Sequence, residues 1–326
     1  MLQIISSVAL IFLSLGLGYL YRKRRLAAVD QDKPKVLALL ATLRDRLQFV
    51  AFFVFIPCAA LFSLWGMQRP SHHLLILPLF GLLAWTLGGG ISLILAKIFA
   101  LNRQATGSLF CCATFSNIGA VGTLCCVVFL GEASIAYVAL YRFCEEMFYY
   151  GLAIPWATRY SSIQGSVKIQ GFKISRLIFG ILLALAIGLT LNVLGIPRPQ
   201  IFGYLSAFLS ITACSMALFA IGLGLTISKL SSYPLPCACI FAIKFLCIPA
   251  TLITLAILVG LGQLDSGLPL KTVAILSTMP VAMNALIPPA LLKLDLDLAN
   301  ACFIFSTLAL AIVLPFMAIF VLPSLG

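Results

Sequence analysis

The sequence predicts an all-α membrane protein of ten transmembrane helices, arranged as two inverted five-helix repeats. Three observations predict it. The apolar content exceeds what a soluble domain can bury, the basic residues fall almost entirely on one side of the apolar segments, and the fourth and ninth segments carry matching interruptions.

Of 326 residues, 62% are hydrophobic and 9% are charged, against about 45–50% and about 25% in soluble domains. One span needs roughly 20 apolar residues, so the length holds about ten spans with short connections. The net charge of +12 does not point to nucleic acid, because the basic residues flank apolar segments and form no stripe with interleaved aromatics. Nearly all of the eleven cysteines lie inside apolar segments, including the pairs Cys111–Cys112 and Cys125–Cys126. They read as small hydrophobes rather than metal ligands. His72 and His73 sit together in an expected loop and are too few for a metal site, so no cofactor is expected.

The first apolar segment, about 3–21, is followed rather than preceded by Arg22-Lys23-Arg24-Arg25. That order fits a first span with its N-terminus outside, not a cleavable leader. Further spans are expected near 47–66, 73–100, 105–130, 133–158, 176–195, 201–228, 235–260, 269–292 and 298–322. This arrangement puts sixteen basic residues in cytoplasmic segments, among them Lys33, Lys35, Arg44, Arg46, Arg103 and Arg159. Only Arg69, Arg198 and Lys271 lie outside. The asymmetry orients the chain with both termini outside a plasma membrane, or the inner membrane of a bacterium. The polar stretch 161–175 acts as a cytoplasmic linker between repeats 1–160 and 176–326. Five spans per repeat is an odd number, so the second repeat is inserted upside down relative to the first.

The fourth span contains Ser116-Asn117-Ile118-Gly119-Ala120-Val121-Gly122. The ninth contains Pro280-Val281-Ala282-Met283-Asn284, then Pro288-Pro289. Each places an asparagine near mid-span beside residues that weaken a helix, by about 1 kcal/mol for glycine and about 3 for proline. Backbone groups freed at such a break must be satisfied or must line a cavity. Interrupted helices at corresponding places in inverted repeats point to a binding site, and half-helix N-termini suit a carboxylate. Ser116, Asn117, Gly119, Gly122, Pro280 and Asn284 are therefore the candidate substrate-binding residues. The bland alternative is close helix packing and simple kinks.

Ionisable residues at bilayer depth are costly and mark function by default. Arg142, Glu145 and Glu146 cluster in the fifth span, and Lys244 stands in the eighth. Arg142 can pair with Glu145 at i,i+3 or with Glu146 at i,i+4. The spare carboxylate is expected to meet Lys244, forming a pair that titrates during transport and couples it to protons. Alternatively, Lys244 or Arg142 provides positive charge for an anionic substrate, and a fixed salt bridge is the structural alternative.

At these residues the chain resembles the auxin efflux carrier family in its compact bacterial form, which includes malonate-type carriers. Asn117 to Gly122 is similar to that family's Asn-x-Gly-x-x-Gly signature. Leu191-Asn192-Val193-Leu194-Gly195-Ile196-Pro197 resembles its sixth span and following turn. Pro57 with Leu61-Phe62 resembles its second span, and Ala282-Met283-Asn284-Ala285 its ninth. The resemblance implies crossed, broken helices 4 and 9 near the midplane, with the substrate beside the crossing. It also implies a scaffold of spans 1, 2, 6 and 7 and a moving part of spans 3–5 and 8–10. The family often has proline two residues after the second glycine, where this chain has Leu124. The first crossover is then expected to open on Gly119 and Gly122 alone.

The function expected on this reading is secondary transport of a small organic anion or weak acid, coupled to protons or membrane potential. The chain has no phosphate-binding loop for ATP-driven pumping and no catalytic constellation at depth, so it is not expected to be an enzyme. A sodium-coupled symporter or cation/proton antiporter of the same architecture is the first alternative, and a non-transporting membrane sensor the second. Expected partners are the bilayer, a small organic acid and protons, or sodium in the alternative, with a homodimer left open.

Overall fold

The computed structural model describes residues 2–28, 32–67, 72–162, 174–225 and 230–325. Most of the expected linker, 163–173, lies outside the described residues, as do Asp30, Arg69, Lys168, Lys173 and Lys229. Among those described, the regular structure is helical, with one isolated antiparallel bridge.

In chain order the helices are α1 (Leu2–Ala27), α2 (Lys33–Trp65), α3 (Leu77–Ile98), α4 (Arg103–Thr114), α5 (Ile118–Leu130) and α6 (Ser134–Tyr141). They continue as α7 (residues 145–158), α8 (Ile174–Val193), α9 (Gln200–Gly224), α10 (Pro234–Leu258), α11 (Leu268–Ser277), α12 (Ile287–Leu291) and α13 (Leu296–Leu325). Six of these, α1, α2, α3, α9, α10 and α13, are long and apolar enough to cross a membrane. Large apolar side chains face outward along them, with Ile312 78% and Leu258 74% exposed, while Ser7, Ser92, Ser206, Ser210 and Ser306 are fully buried. Such an inside-out distribution suits hydrocarbon as the solvent. The protein is an all-α, multi-pass membrane protein.

Two expectations about individual spans are corrected. The basic residues Lys33, Lys35, Arg44 and Arg46 are not in a connection but in the first half of α2, which runs unbroken into the apolar half. Pro34 sits in the first turn, where proline is tolerated, and no breaker follows until Pro57. The fifth span is not one helix. It opens at residues 142–144, between α6 and α7, where the Phe143 and Glu145 N–H groups bond back only three residues.

Three π turns, Ala51–Phe55, Tyr149–Ala153 and Ile243–Cys247, interrupt α2, α7 and α10. Each is followed by an Ile-Pro pair: Ile56-Pro57, Ile154-Pro155 and Ile248-Pro249. The proline has no N–H and its ring clashes with the carbonyl four residues back. That carbonyl belongs to Phe53, Gly151 or Phe245, inside the π turn in each case. Widening by one residue relieves the clash.

The chain forms two compact units, Met1–Pro70 with Gly119–Ala136 and Ser175–Thr226, and Ser71–Ile118 with Tyr137–Ile174 and Ile227–Gly326. Each takes segments from both sides of the linker. In the first, α1 and α9 cross in backbone contact, so that a Cβ on Gly222 would lie 2.2 Å from the Leu15 carbonyl oxygen. Also in this unit, Arg198 forks onto Glu132 at 2.6 and 3.2 Å and donates to the Phe62 carbonyl at 2.9 Å. In the second unit, α3 lies against α4 at Gly88, where a Cβ would meet the Ala113 carbonyl oxygen at 2.2 Å.

These contacts separate two kinds of glycine. Gly222→Ala and Gly88→Ala should each lower the detergent-solubilised thermal midpoint by an amount equivalent to about 1–3 kcal/mol of overpacking. Gly16→Ala and Gly90→Ala, where a Cβ meets nothing within 4 Å, should be neutral or slightly stabilising. Equal effects in all four would contradict the packing described.

Candidate functional site

The site is built on two broken helices in the second unit. α4 begins on an Asn102 cap whose side chain accepts from the Ala105 N–H at 2.8 Å, and ends at Thr114. Phe115 is extended (φ −95, ψ 126), and Ser116 pairs with Val281 in the antiparallel bridge. The helix resumes at Ile118. α11 ends at Ser277, and Pro280 to Ala282 run extended beside residues 115–117. A 3-10 turn, Met283–Leu286, then leads into α12.

Each break satisfies the other's backbone. The Asn117 N–H donates to the Pro280 carbonyl at 2.7 Å, and the Ala282 N–H to the Phe115 carbonyl at 3.1 Å. Val281 faces Ser116 across a pair that exchanges no bonds of its own. Its N–H goes instead to the Ser306 hydroxyl of α13 at 3.1 Å. The fourth span therefore opens on Phe115-Ser116-Asn117, not on Gly119 and Gly122. Both glycines lie in the helical π turn Ile118–Gly122, and Gly122 is right-handed helical (φ −62, ψ −47). They belong to the first compact unit, where the Gly119 carbonyl accepts the Cys214 thiol at 3.7 Å.

Lys244 lies on the π turn of α10 and is 0% exposed. Its Nζ donates to the Ser116 Oγ at 2.8 Å, at the centre of the first break. Among the described residues it forms no ion pair, so the expected Lys244–glutamate pair is not made. Arg142 and Glu145 do pair, through Nε and Oε2 at 2.5 Å, across the opening between α6 and α7. Glu146 lies within electrostatic reach of both. The side of the helix that Lys244 faces was not readable in the sequence, because the π turn before Pro249 changes the phase of α10.

Other polar groups gather around the breaks. Tyr149 donates to the Asn284 carbonyl at 3.0 Å, and its ring stands edge-on to Phe115 at 4.7 Å. The Thr114 Oγ1 and Asn284 Oδ1 are buried and have no hydrogen-bond partner among the described residues. Asn117 is 8% exposed. Of the candidate residues, Ser116, Asn117, Pro280, Asn284 and Lys244 gather at the breaks, with Thr114, Tyr149, Val281 and Ser306 beside them; Arg142, Glu145 and Glu146 belong to the same compact unit. Their signal in the sequence was weak, since each is an ordinary residue beside a marked one. Chemically, a buried amino group with one hydroxyl partner among the described residues is poorly compensated whenever it carries a proton, and an entering anion would then complete it.

Ser306→Ala strands the buried Val281 N–H and should cost about 1–3 kcal/mol, seen as a lower thermal midpoint. Ser277→Ala removes a hydroxyl bonded, among the described residues, to the Ala274 carbonyl of its own helix, and should change little. A scan of protein-family models and a search of curated proteins return no match for the chain.

Proposed function

We propose that the protein is a secondary transporter of small organic anions or weak acids, of the auxin efflux carrier type, and that the substrate carboxylate binds at the two broken helices. The observation that carries this reading is the fully buried Lys244 amino group on Ser116, where α4 opens against the break after α11. A carboxylate there gains a charge-assisted bond to Lys244 and the donor groups of asparagine amides, while relieving the cost of an undercompensated cation. The full proposed architecture is ten spans in two inverted repeats, with helices 4 and 9 broken and both termini outside. The one-sided placement of basic residues beside the apolar segments supports that orientation.

Lys244 supplies the site's positive charge in this proposal, and the Arg142–Glu145–Glu146 cluster is the proposed place for proton coupling. A cation at Ser116 also argues against sodium binding at the same hydroxyl, since like charges repel.

Thermal-shift screening of the purified protein with mono- and dicarboxylates across pH should give stabilising hits. Lys244→Met should abolish those hits while keeping or raising the ligand-free midpoint, because it removes a buried charge. If Lys244→Met unfolds the protein, or binds carboxylates as the parent does, the assignment fails. Asn117→Ala and Asn284→Ala should each weaken the hits by about 1–3 kcal/mol, the worth of hydrogen bonds to a charged group. In proteoliposomes, flux should respond to pH or membrane potential and not to sodium at fixed pH. Sodium-driven flux would favour a symporter, and binding without flux a sensor.

Reporter fusions at the two ends provide a separate check on architecture. Both are expected to read as external, and one internal end would rule out ten spans.

A further inference from the structure

The first compact unit carries a second feature that plays no part in the broken-helix site. A cleft of about 220 Å³ opens between the basic end of α1 and the first half of α2. On α1 its wall is Tyr21 and Arg25, one turn apart. On α2 it is Val36, Leu39, Leu40 and Leu43, at the i, i+3, i+4, i+7 spacing of a helix face meant for burial. Leu40 is 5% exposed and forms the floor, whereas Leu39 is 62% exposed and Leu37 beside it 44%. Among the described residues, that apolar face has no partner along its outer edge.

The charge around this cleft is one-sided. Lys23, Arg24 and Arg25 are exposed at the end of α1, while Arg22 is already engaged with the Leu225 carbonyl. Asp32 is held by Lys35 at 3.1 Å and Asp45 by Arg44 at 2.9 Å. Arg25 is positioned rather than loose. Its Nε and one terminal nitrogen donate to the Tyr21 hydroxyl at 3.1 and 3.0 Å, and its guanidinium lies 5.3 Å from that ring's centroid. Two of its five N–H donors are thus used for positioning, and the rest can serve an anion.

We infer that this cleft binds an anionic phospholipid, with the headgroup phosphate on Arg25 and an acyl chain along Val36, Leu39 and Leu43. A soluble anion would use the cation but leave the aliphatic wall wet. A zwitterionic lipid would bring its own cation into the cluster of Lys23, Arg24 and Arg25. Tyr21 marks the level at which α1 leaves the apolar layer, where aromatic rings favour the headgroup region. Basic residues just beyond a spanning helix attract anionic lipid in general; a positioned arginine above an apolar wall makes a defined seat of that attraction. The inference needs only that α1 spans the membrane, and it stands or falls independently of the transport proposal.

Native mass spectrometry of the full chain tests it, with phosphatidylglycerol and phosphatidylcholine of identical acyl chains as probes. The parent protein should retain phosphatidylglycerol with a preference of roughly tenfold, as a charge-assisted contact implies. Arg25→Gln should abolish the preference, and Leu39→Asn should reduce retention of phosphatidylglycerol. Arg24→Gln, outside the cleft, should lower binding by no more than the roughly fivefold expected of one nearby charge. Circular dichroism and thermal midpoints equal to the parent's establish that the variants fold. No preference in the parent, or equal losses in Arg24→Gln and Arg25→Gln, would overturn the proposal in favour of diffuse surface charge. Displacement of bound lipid by inorganic phosphate alone would overturn it in favour of a simple anion site.

Discussion

Backbone that leaves the helix inside an apolar layer must find hydrogen-bond partners there, because water cannot supply them. The second compact unit meets this constraint by placing two breaks side by side. Phe115 and Asn117 exchange bonds with Ala282 and Pro280, and Ser306 takes the Val281 N–H that the bridge leaves over. Neither α4 nor α11 could end where it does without the other. The polar groups collected around this bridge, among them Ser116, Lys244 and the Asn284 carbonyl with Tyr149, are positioned by backbone whose geometry is fixed on both sides.

Much of this was legible in the amino-acid sequence, and the rest was hidden for identifiable reasons. Long apolar runs announce α1, α3, α9, α10 and α13, because a helix satisfies its own backbone and needs only length. The asparagines and prolines mark the fourth and ninth segments as unable to remain helical. They do not say where each opens. Glycine propensity points to Gly119 and Gly122, yet the opening falls at Ser116, because the Val281 strand on another segment determines it. The lower cost of continuing a helix also explains why α2 runs back through its basic residues to Lys33, where hydropathy alone sees a loop.

The charged residues show a related limit. Arg142 finds Glu145 three residues away, a pairing that local spacing contains. Lys244 finds Ser116 on a distant segment, and only tertiary structure contains that. The intermediate cause is nevertheless written in the chain. The Ile-Pro pairs after Phe55, Ala153 and Cys247 force one extra residue into the preceding turn. At Ile248-Pro249 the widened turn is the one that holds Lys244. A rule as simple as proline's missing N–H therefore sets the direction in which the fully buried Lys244 projects.

The bridge between residues 116 and 281 also constrains how the chain is made. A ribosome adding about 5–20 residues each second finishes α4 on the order of ten seconds or more before residue 281 exists. Throughout that interval the open backbone at Phe115, Ser116 and Asn117 has no complement within the nascent protein. It must stay at the translocon, near water, or in the care of an insertase until α11 arrives. The seal on the break at Ser116 is therefore a late event in the making of the chain, since its complement is Val281.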